Sequence, residues 1–598
     1  MRITGRQLEG IGETFLMPGD MIRKIVLRNT LSHSWLVFEG PREVLHARSP
    51  GEVPGLLEKI QRGVDEDDLF AAGYLCYEAA PAFDAALATR PCGHLPVACF
   101  GLFAEPTELG ELPISQVSSP KDTDWQLTTS RPSYLERIAR IKDQIELGNC
   151  YQVNYTIRQE AHNVADPWNL FLSVAVDAPY AAYIDCDDHA IVSASPELFF
   201  SLAGADLTCR PMKGTAARGK TVLDDNAAAQ ALHESTKNRA ENIMITDMIR
   251  NDMGRIATPG TVQVASLFDI EKYASVWQMT STVTATTDAE LPEILRALFP
   301  CASVTGAPKS SSMAKIVDLE DSPREVYTGA IGYFAPSRRA QFSVAIRTAW
   351  VDKRTDVGTY GIGSGIVWDS DPDDEFEECL EKAKVLSMSV DDRDFQLLET
   401  MLWTASDGYF LMTQHLDRLK DSAEYFEFSF DPAHIEQQLS DLAARFDGPR
   451  CRVRLLLNRC GNIDLESTPE PEIGQGSPQR IRLAAEPINV DDPFLYHKTT
   501  RRHTYERARH LMPDCDDVLL WNPGGFITET TIANVIVQLD GDLFTPPVSC
   551  GLLGGTYRDW LLQQEQIKER TIHIDELRES GQITLANSVR GQYPGILC

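Results

Sequence analysis

Apolar positions along this chain alternate between two spacings. The stretch Tyr134 to Gly148, YLERIARIKDQIELG, places Leu135, Ile138, Ile141 and Ile145 on one face of a helix, and Gly148 supplies a stop. The YQVNYTIR that follows has strand composition. Farther on, TQHLDRLKDSAEYFEF predicts a helix with His415, Leu416, Leu419, Ala423 and Phe426 facing the core, and CRVRLLLNRCGNI predicts a strand. Near residue 390 the helical run EECLEKAKVLSMSV gives way to the polar DDRD. A new pattern then begins: FQLLETMLW as a strand, SDG as a turn and YFLMT as a second strand. This break predicts a boundary at 388–394, with a first unit over 1–390 and a second over 391–598.

The bulk properties agree with two or more domains. A chain of 598 residues is too long for one hydrophobic core. Hydrophobic residues make up 43% and charged residues 24%, as in soluble globular proteins. No apolar run approaches the roughly 20 residues of a membrane span. The opening MRITGRQLEGIGETF lacks the apolar core of a signal peptide, so a cytoplasmic location is expected. The 13 cysteines are scattered with no C-x-x-C pair, which predicts reduced thiols rather than a zinc ribbon or a disulfide framework. A formal charge of −31 argues against nucleic acid as a partner.

Several separate segments of the first unit carry groups suited to an anionic substrate. SASPELFF ends a strand with Glu197, and RPMKGT holds Lys213 beside Gly214. RAENIMITDMIRNDMGR reads as a helix with Glu241 and Asp247 near Arg250 and Asp252. FPCASVTGAPK, containing Thr305, is a small-residue loop whose amides can approach a carboxylate. FSVAIRT brings Arg347 along a strand. YGIGSGIVWDS offers Gly361, Gly363 and Gly365 before an acidic helix on which Glu375 and Glu378 share a face. Arg347 and the glycine amides suit carboxylates, and glutamates from two helices suit Mg²⁺, which prefers hard oxygen ligands.

In this order the motifs resemble the chorismate-utilising enzymes: aminodeoxychorismate synthase component I, anthranilate synthase component I, and the isochorismate and salicylate synthases. The resemblance runs from about Leu135 to Leu386, with weaker family-like segments upstream in GYLCYEAAPAFD and LPVACFGLF. It implies a β-sandwich-like core with flanking helices. Aminodeoxychorismate synthases carry Lys in the P-x-[KA]-G-T motif where anthranilate synthases typically carry Ala, and this chain reads PMKGT. The resemblance implies that Lys213 attacks C2 of chorismate as the 4-hydroxyl leaves, and that ammonia then adds at C4. That role requires an unprotonated amine. Glu197 matches the general acid for the hydroxyl. Glu241 and Glu378 match the Mg²⁺ ligands, with Glu375 close by, and Thr305, Arg347, Gly363 and Gly365 match substrate-binding positions. Two departures narrow the reaction. The isochorismate and salicylate synthases place a lysine base where this chain has Gln152, and anthranilate synthases, with some aminodeoxychorismate synthases, have His where it has Gln278.

The second unit carries the parts of a pyridoxal phosphate site. Such a site needs a lysine for covalent attachment, a partner for the pyridine nitrogen and a phosphate cup. Lys498 in HKTTRRHTYERAR, Glu529 with Asn534 in GGFITETTIANVIV, and Arg418 in HLDRL with Gly555 and Thr556 in GLLGGTYRDWLL supply them. These motifs resemble fold-type IV pyridoxal phosphate enzymes over nearly all of 395–598, which implies an α/β unit and makes the whole an α/β and α+β multidomain protein. Tyr557 departs from the Thr of many members, and the closing LANSVRG looks most like the aminodeoxychorismate lyase branch. The lyase resemblance implies that Lys498 is released from the cofactor to shuttle protons during pyruvate elimination. Alternatives are a branched-chain or D-amino acid aminotransferase, or a non-catalytic docking module. Fusion of the two units therefore predicts synthesis of 4-aminobenzoate, the aromatic ring of folate, from chorismate. No G-x-C-x-G glutaminase segment is visible, so ammonia is expected from a separate glutamine amidotransferase subunit, or free at high concentration. A homodimer through the second unit is expected from the resemblance.

Overall fold

The computed structural model describes residues 21–30, 32–112, 123–273, 276–387, 395–471, 478–580 and 583–598. Two compact units emerge. One comprises 1–216 and 231–390; the other comprises 391–598 together with 217–230. Within the second, Arg218 Nη2 donates to Tyr425 O at 3.0 Å and Tyr425 Oη donates to Gly219 O at 2.8 Å. The expected junction at 388–394 lies outside the described residues.

The first unit is built on two large antiparallel sheets. One runs Gly306–Ala307, Gln152–Ala161, Val357–Ile366, Thr348–Asp352, His189–Ser195, Tyr180–Cys186, Ile22–Asn29, Ser34–Glu39, Thr107–Leu109. The other runs Met212–Ala217, Val276–Thr286, Asp206–Arg210, Leu198–Ala203, Arg339–Val344, Ala330–Ala335, Phe70–Leu75, Ala98–Phe103, Glu43–Ala47. The strand Phe70–Leu75 shows why they pack as layers. Phe70, Ala72 and Tyr74 meet Ile25, Leu27 and Phe38 of the other sheet. Ala71 and Leu75 point the opposite way, into a cluster with Ile60, Ile249 and Leu295 from three helices. Both faces are apolar because both are covered. The expected sandwich with flanking helices is what the structure contains.

The predicted helix after Tyr134 spans Arg131–Glu146, capped by Ser130 and stopped at Gly148, which has a φ of +72°. Tyr134, Ile138 and Ile141 are buried, with Leu135 and Ile145 partly so. The run after Glu377 stays helical only to Ala383, becomes a short 3₁₀ turn over Lys384–Ser387, and beyond that lies outside the described residues.

In the second unit, Leu397–Thr404 and Arg450–Leu457 centre a four-stranded antiparallel sheet. Helices Met412–Phe426 and Pro432–Ala443 pack on it, with Leu416, Leu419, Ala423, Ile435 and Leu439 buried against Met401, Val453 and Leu455. The expected strand YFLMT is not formed: only Gly408–Tyr409 pairs, and Leu411, at a φ of +55°, turns the chain into the helix at Met412. An eight-stranded mixed sheet follows, closed on itself where Ile527–Thr530 also pairs with Asn534–Leu539 through Glu529 and Asn534. Among the described residues no helix is long and apolar enough to cross a membrane.

Candidate active sites

A cavity of about 160 Å³ in the first unit brings together every expected site residue of that unit except Thr305. They arrive on several different elements. Glu197 occupies the corner between strands His189–Ser195 and Leu198–Ala203 and is 2% exposed. Ser303 Oγ donates to its Oε1 at 2.6 Å. Burial pushes this carboxyl up to about 7, against the opposing pull of Ser303 and Lys213. It is therefore substantially protonated at neutral pH.

Lys213 lies on the strand Met212–Ala217, followed by Gly214 at a φ of +99°. A Cβ at Gly365 would stand 2.7 Å from both Lys213 Nζ and Gln152 Nε2, so any larger residue at this point of the strand Val357–Ile366 would displace the ends of those two side chains. Gln152 is buried, and its Nε2 has no hydrogen-bond partner among the described residues. Gln278 lines the same cavity, its Nε2 donating to Thr215 Oγ1 at 3.0 Å.

Arg347 was expected along a strand and instead sits in the corner between Arg339–Val344 and Thr348–Asp352, at a φ of +49°. The corner turns its side chain into the cavity. Burial pulls its guanidinium below the usual range, and the groups facing its charge are Tyr360 and Tyr273 rather than a carboxylate. Such a cation is matched to an incoming anion. Thr305 is buried with its hydroxyl donating to Cys301 O and Ala302 O; its neighbours Ser303 and Val304 line the cavity.

Three glutamates form one wall. Glu241 comes from helix Thr236–Gly254, and Glu375 and Glu378 come from helix Pro372–Ala383. Glu375 accepts from Ser370 Oγ at 2.7 Å, and Glu378 pairs with Lys382 at 2.6 Å. Burial pushes the Glu241 carboxyl up, with Lys213 and Lys237 opposing and Glu375 and Glu378 adding repulsion. Among the described residues no three acidic, His or Cys side chains converge at metal-ligand spacing. The donors nonetheless fit Mg²⁺ in kind: they are hard oxygens, and their mutual repulsion is what a divalent cation relieves. Asp247 and Asp252 take no part in the cavity; they pair with Arg250 at 2.7 Å and Lys309 at 2.9 Å. Sequence reasoning passed over Ser303 and Lys382. Lys382 had a signal, its i,i+4 spacing from Glu378.

The second unit has a cavity of about 360 Å³ lined by Arg418, Lys498, Glu529, Gly555 and Thr556. All of its expected residues meet there. Burial and the nearby Arg418 lower the Lys498 amine to about 8. Burial raises Glu529 to about 7; it accepts from Tyr505 Oη at 2.8 Å, Leu553 N at 3.1 Å and Asn534 Nδ2 at 3.4 Å. Gly555 caps the helix Thr556–Gln563, and a Cβ there would fall 1.9 Å from Asn534 Oδ1. Tyr557 also lines the cavity and stacks on Trp560.

Two residues that sequence reasoning left without a site role hold this arrangement. Glu399, on strand Leu397–Thr404 and 1% exposed, accepts from Arg418 Nε at 2.9 Å and Nη2 at 2.7 Å. It also bonds His415 Nδ1 at 2.6 Å, and His415 Nε2 lies 3.2 Å from Thr556 Oγ1. Arg418 and His415 hold the Glu399 carboxyl near 2 despite its burial. The signal was a lone glutamate within the apolar run FQLLETMLW. A lysine amine, an acidic group, an arginine and a helix start in one cavity fit pyridoxal phosphate.

The sheets and the first cavity define a chorismate-using enzyme. Residues 39–388 match the chorismate binding enzyme family, and the chain belongs to it. Residues 396–595 match the amino-transferase class IV family, whose members carry pyridoxal phosphate. Aminodeoxychorismate synthase component 1 of Klebsiella aerogenes is 40% identical over 264 residues, 43% of this chain and 58% of that protein. The protein of that description from Escherichia coli is 37% identical over 277 residues, 45% of this chain and 61% of that protein. The matches thus span somewhat over half the length of these relatives. Anthranilate synthase component I from Streptococcus pneumoniae shares the fold of the first unit, with a TM-score of 0.51 and 21% identity over 64% of this chain and 95% of that one.

Proposed function

We propose that the chain converts chorismate and ammonia to 4-amino-4-deoxychorismate in its first unit and eliminates pyruvate from that product in its second, giving 4-aminobenzoate. The observation that carries the reading is Lys213 in the first cavity, with its amine over Gly365 beside Gln152 and within the field of Glu197. Arg347 receives a substrate carboxylate. The Lys213 amine adds to C2 of the ring while the C4–O bond breaks, and Glu197 donates its proton to the departing hydroxyl. Ammonia then forms the C4–N bond as the C2–lysine bond breaks. Gln152 has no basic group to activate water, which favours ammonia as the acceptor. Glu241, Glu375 and Glu378 would hold Mg²⁺, which supplies charge neutralisation for the ring carboxylate.

In the second cavity, pyridoxal phosphate when bound supplies the electron sink for elimination. Glu529 holds a proton at the pyridine nitrogen. Lys498, with an amine lowered to about 8, takes and returns protons at the substrate carbon. Arg452, Arg454, Arg502 and Arg590 also line this cavity. Four arginines suit a substrate with two carboxylates, which favours the lyase over an aminotransferase for apolar amino acids. The relatives described as component 1 support ammonia delivery by a separate glutamine amidotransferase. Purified chain supplied with chorismate, ammonium and Mg²⁺ is expected to release aminodeoxychorismate or its aromatic product; anthranilate as the product sinks the first half. Glutamine sustaining turnover with no second protein sinks the partner assignment.

A further inference from the structure

Glu399 reaches the start of helix Thr556–Gln563 by two routes. Through Arg418 it reaches the backbone just before the cap, because Arg418 Nη1 donates to Gly554 O at 2.9 Å. Through His415 it reaches Thr556 Oγ1, the first residue of the helix. One edge of the Arg418 guanidinium is consumed by the two bonds to Glu399. A guanidinium has five N–H donors, so two remain for a ligand after these two bonds and the bond to Gly554. The carboxylate faces Arg418 and His415, and Lys498 is the other cation acting on His415.

We propose that Glu399 is the positioning residue of the phosphate cup, aligning the Arg418 fork and the Gly555–Thr556 helix start on one anion. The inference rests on the reading of this cavity as a pyridoxal phosphate site. Glu399 touches no cofactor; it fixes the two groups that do. Its substitution therefore acts mainly on the phosphate; at the aldehyde end Glu399 reaches Lys498 only through its charge, with no hydrogen bond between them among the described residues.

Titration of the apo-protein with pyridoxal 5′-phosphate and, separately, with pyridoxal tests this, read by the absorbance of covalently bound cofactor. Glu399→Gln is expected to weaken pyridoxal phosphate at least about tenfold while changing pyridoxal less than about twofold, and His415→Phe, which cuts the second route between Glu399 and the helix start while leaving Arg418 and Thr556 in place, is expected to weaken pyridoxal phosphate about threefold. Equal weakening of both ligands means a merely structural role and overturns the proposal, as does unchanged affinity for both. If Glu399→Gln does not fold, His415→Phe decides: selective loss of phosphate affinity supports the relay, and no selective loss overturns it. Failure of the cavity reading is distinguishable, because the wild-type protein then binds neither ligand covalently.

Discussion

The two cavities hold similar groups in opposite states of completion. In the first, among the described residues, Gln152 Nε2 has no hydrogen-bond partner, the groups acting on the Arg347 charge are Tyr360 and Tyr273, and Glu241 is repelled by Glu375 and Glu378. In the second, Glu399, Arg418, His415 and Thr556 are joined by hydrogen bonds, and Glu529 has three donors. A buried polar network is rigid when satisfied and costly when not. The first site therefore keeps its polar groups loosely partnered within the protein, while the second holds its groups in connected networks beside the Lys498 amine.

The largest effect should separate the sites completely. Lys213→Ala is expected to slow aminodeoxychorismate formation at least about a thousandfold while leaving cofactor absorbance intact; Lys498→Ala should abolish that absorbance and the elimination while sparing the first step. Assaying each step with its own substrate checks both, and a fast first step in Lys213→Ala would break the comparison. Glu197→Gln should cost about a hundredfold in the first step. The raised Glu197 carboxyl is protonated below about 7 and loses its proton above it. Wild-type kcat/KM for chorismate should therefore carry a limb that falls as pH rises through about 7, and Glu197→Gln should lack that limb. Gly365→Ala forces a methyl group against Lys213 Nζ and should lower the first rate about tenfold to a hundredfold without unfolding the protein, as a melting curve would show. The smallest change belongs to the rim of the second cavity. Arg454 is 44% exposed and paired with Glu466, so Arg454→Gln should raise KM for the elimination by about threefold to tenfold, with kcat little changed.

Much of the chemistry was legible because motifs name residue types at fixed offsets. Lys213, Glu197, Lys498 and Glu529 each sit in a short segment whose composition announces a turn, a strand end or a close approach. What could not be read were the consequences of tertiary packing. The strand expected at YFLMT failed because a left-handed Leu411 caps a helix that starts at the next residue, Met412. Arg347 reaches the cavity from a strand corner that apolar periodicity does not mark. Thr305 turned inward to its own loop carbonyls, leaving Ser303 to bond Glu197. Glu399 looked like one charge in an apolar strand; its meaning depends on a helix start more than 150 residues away. Residues 217–230 group with the second unit through partners some 200 residues distant, such as Tyr425, which local pattern does not encode.

The central claim is that one chain makes an intermediate and then consumes it. A time course with chorismate, ammonium and Mg²⁺, begun on cofactor-free protein and continued after adding pyridoxal phosphate, tests it directly. Aminodeoxychorismate should accumulate first and pass to 4-aminobenzoate with release of pyruvate once the cofactor is present. Aminodeoxychorismate that persists in the presence of bound cofactor would contradict the account.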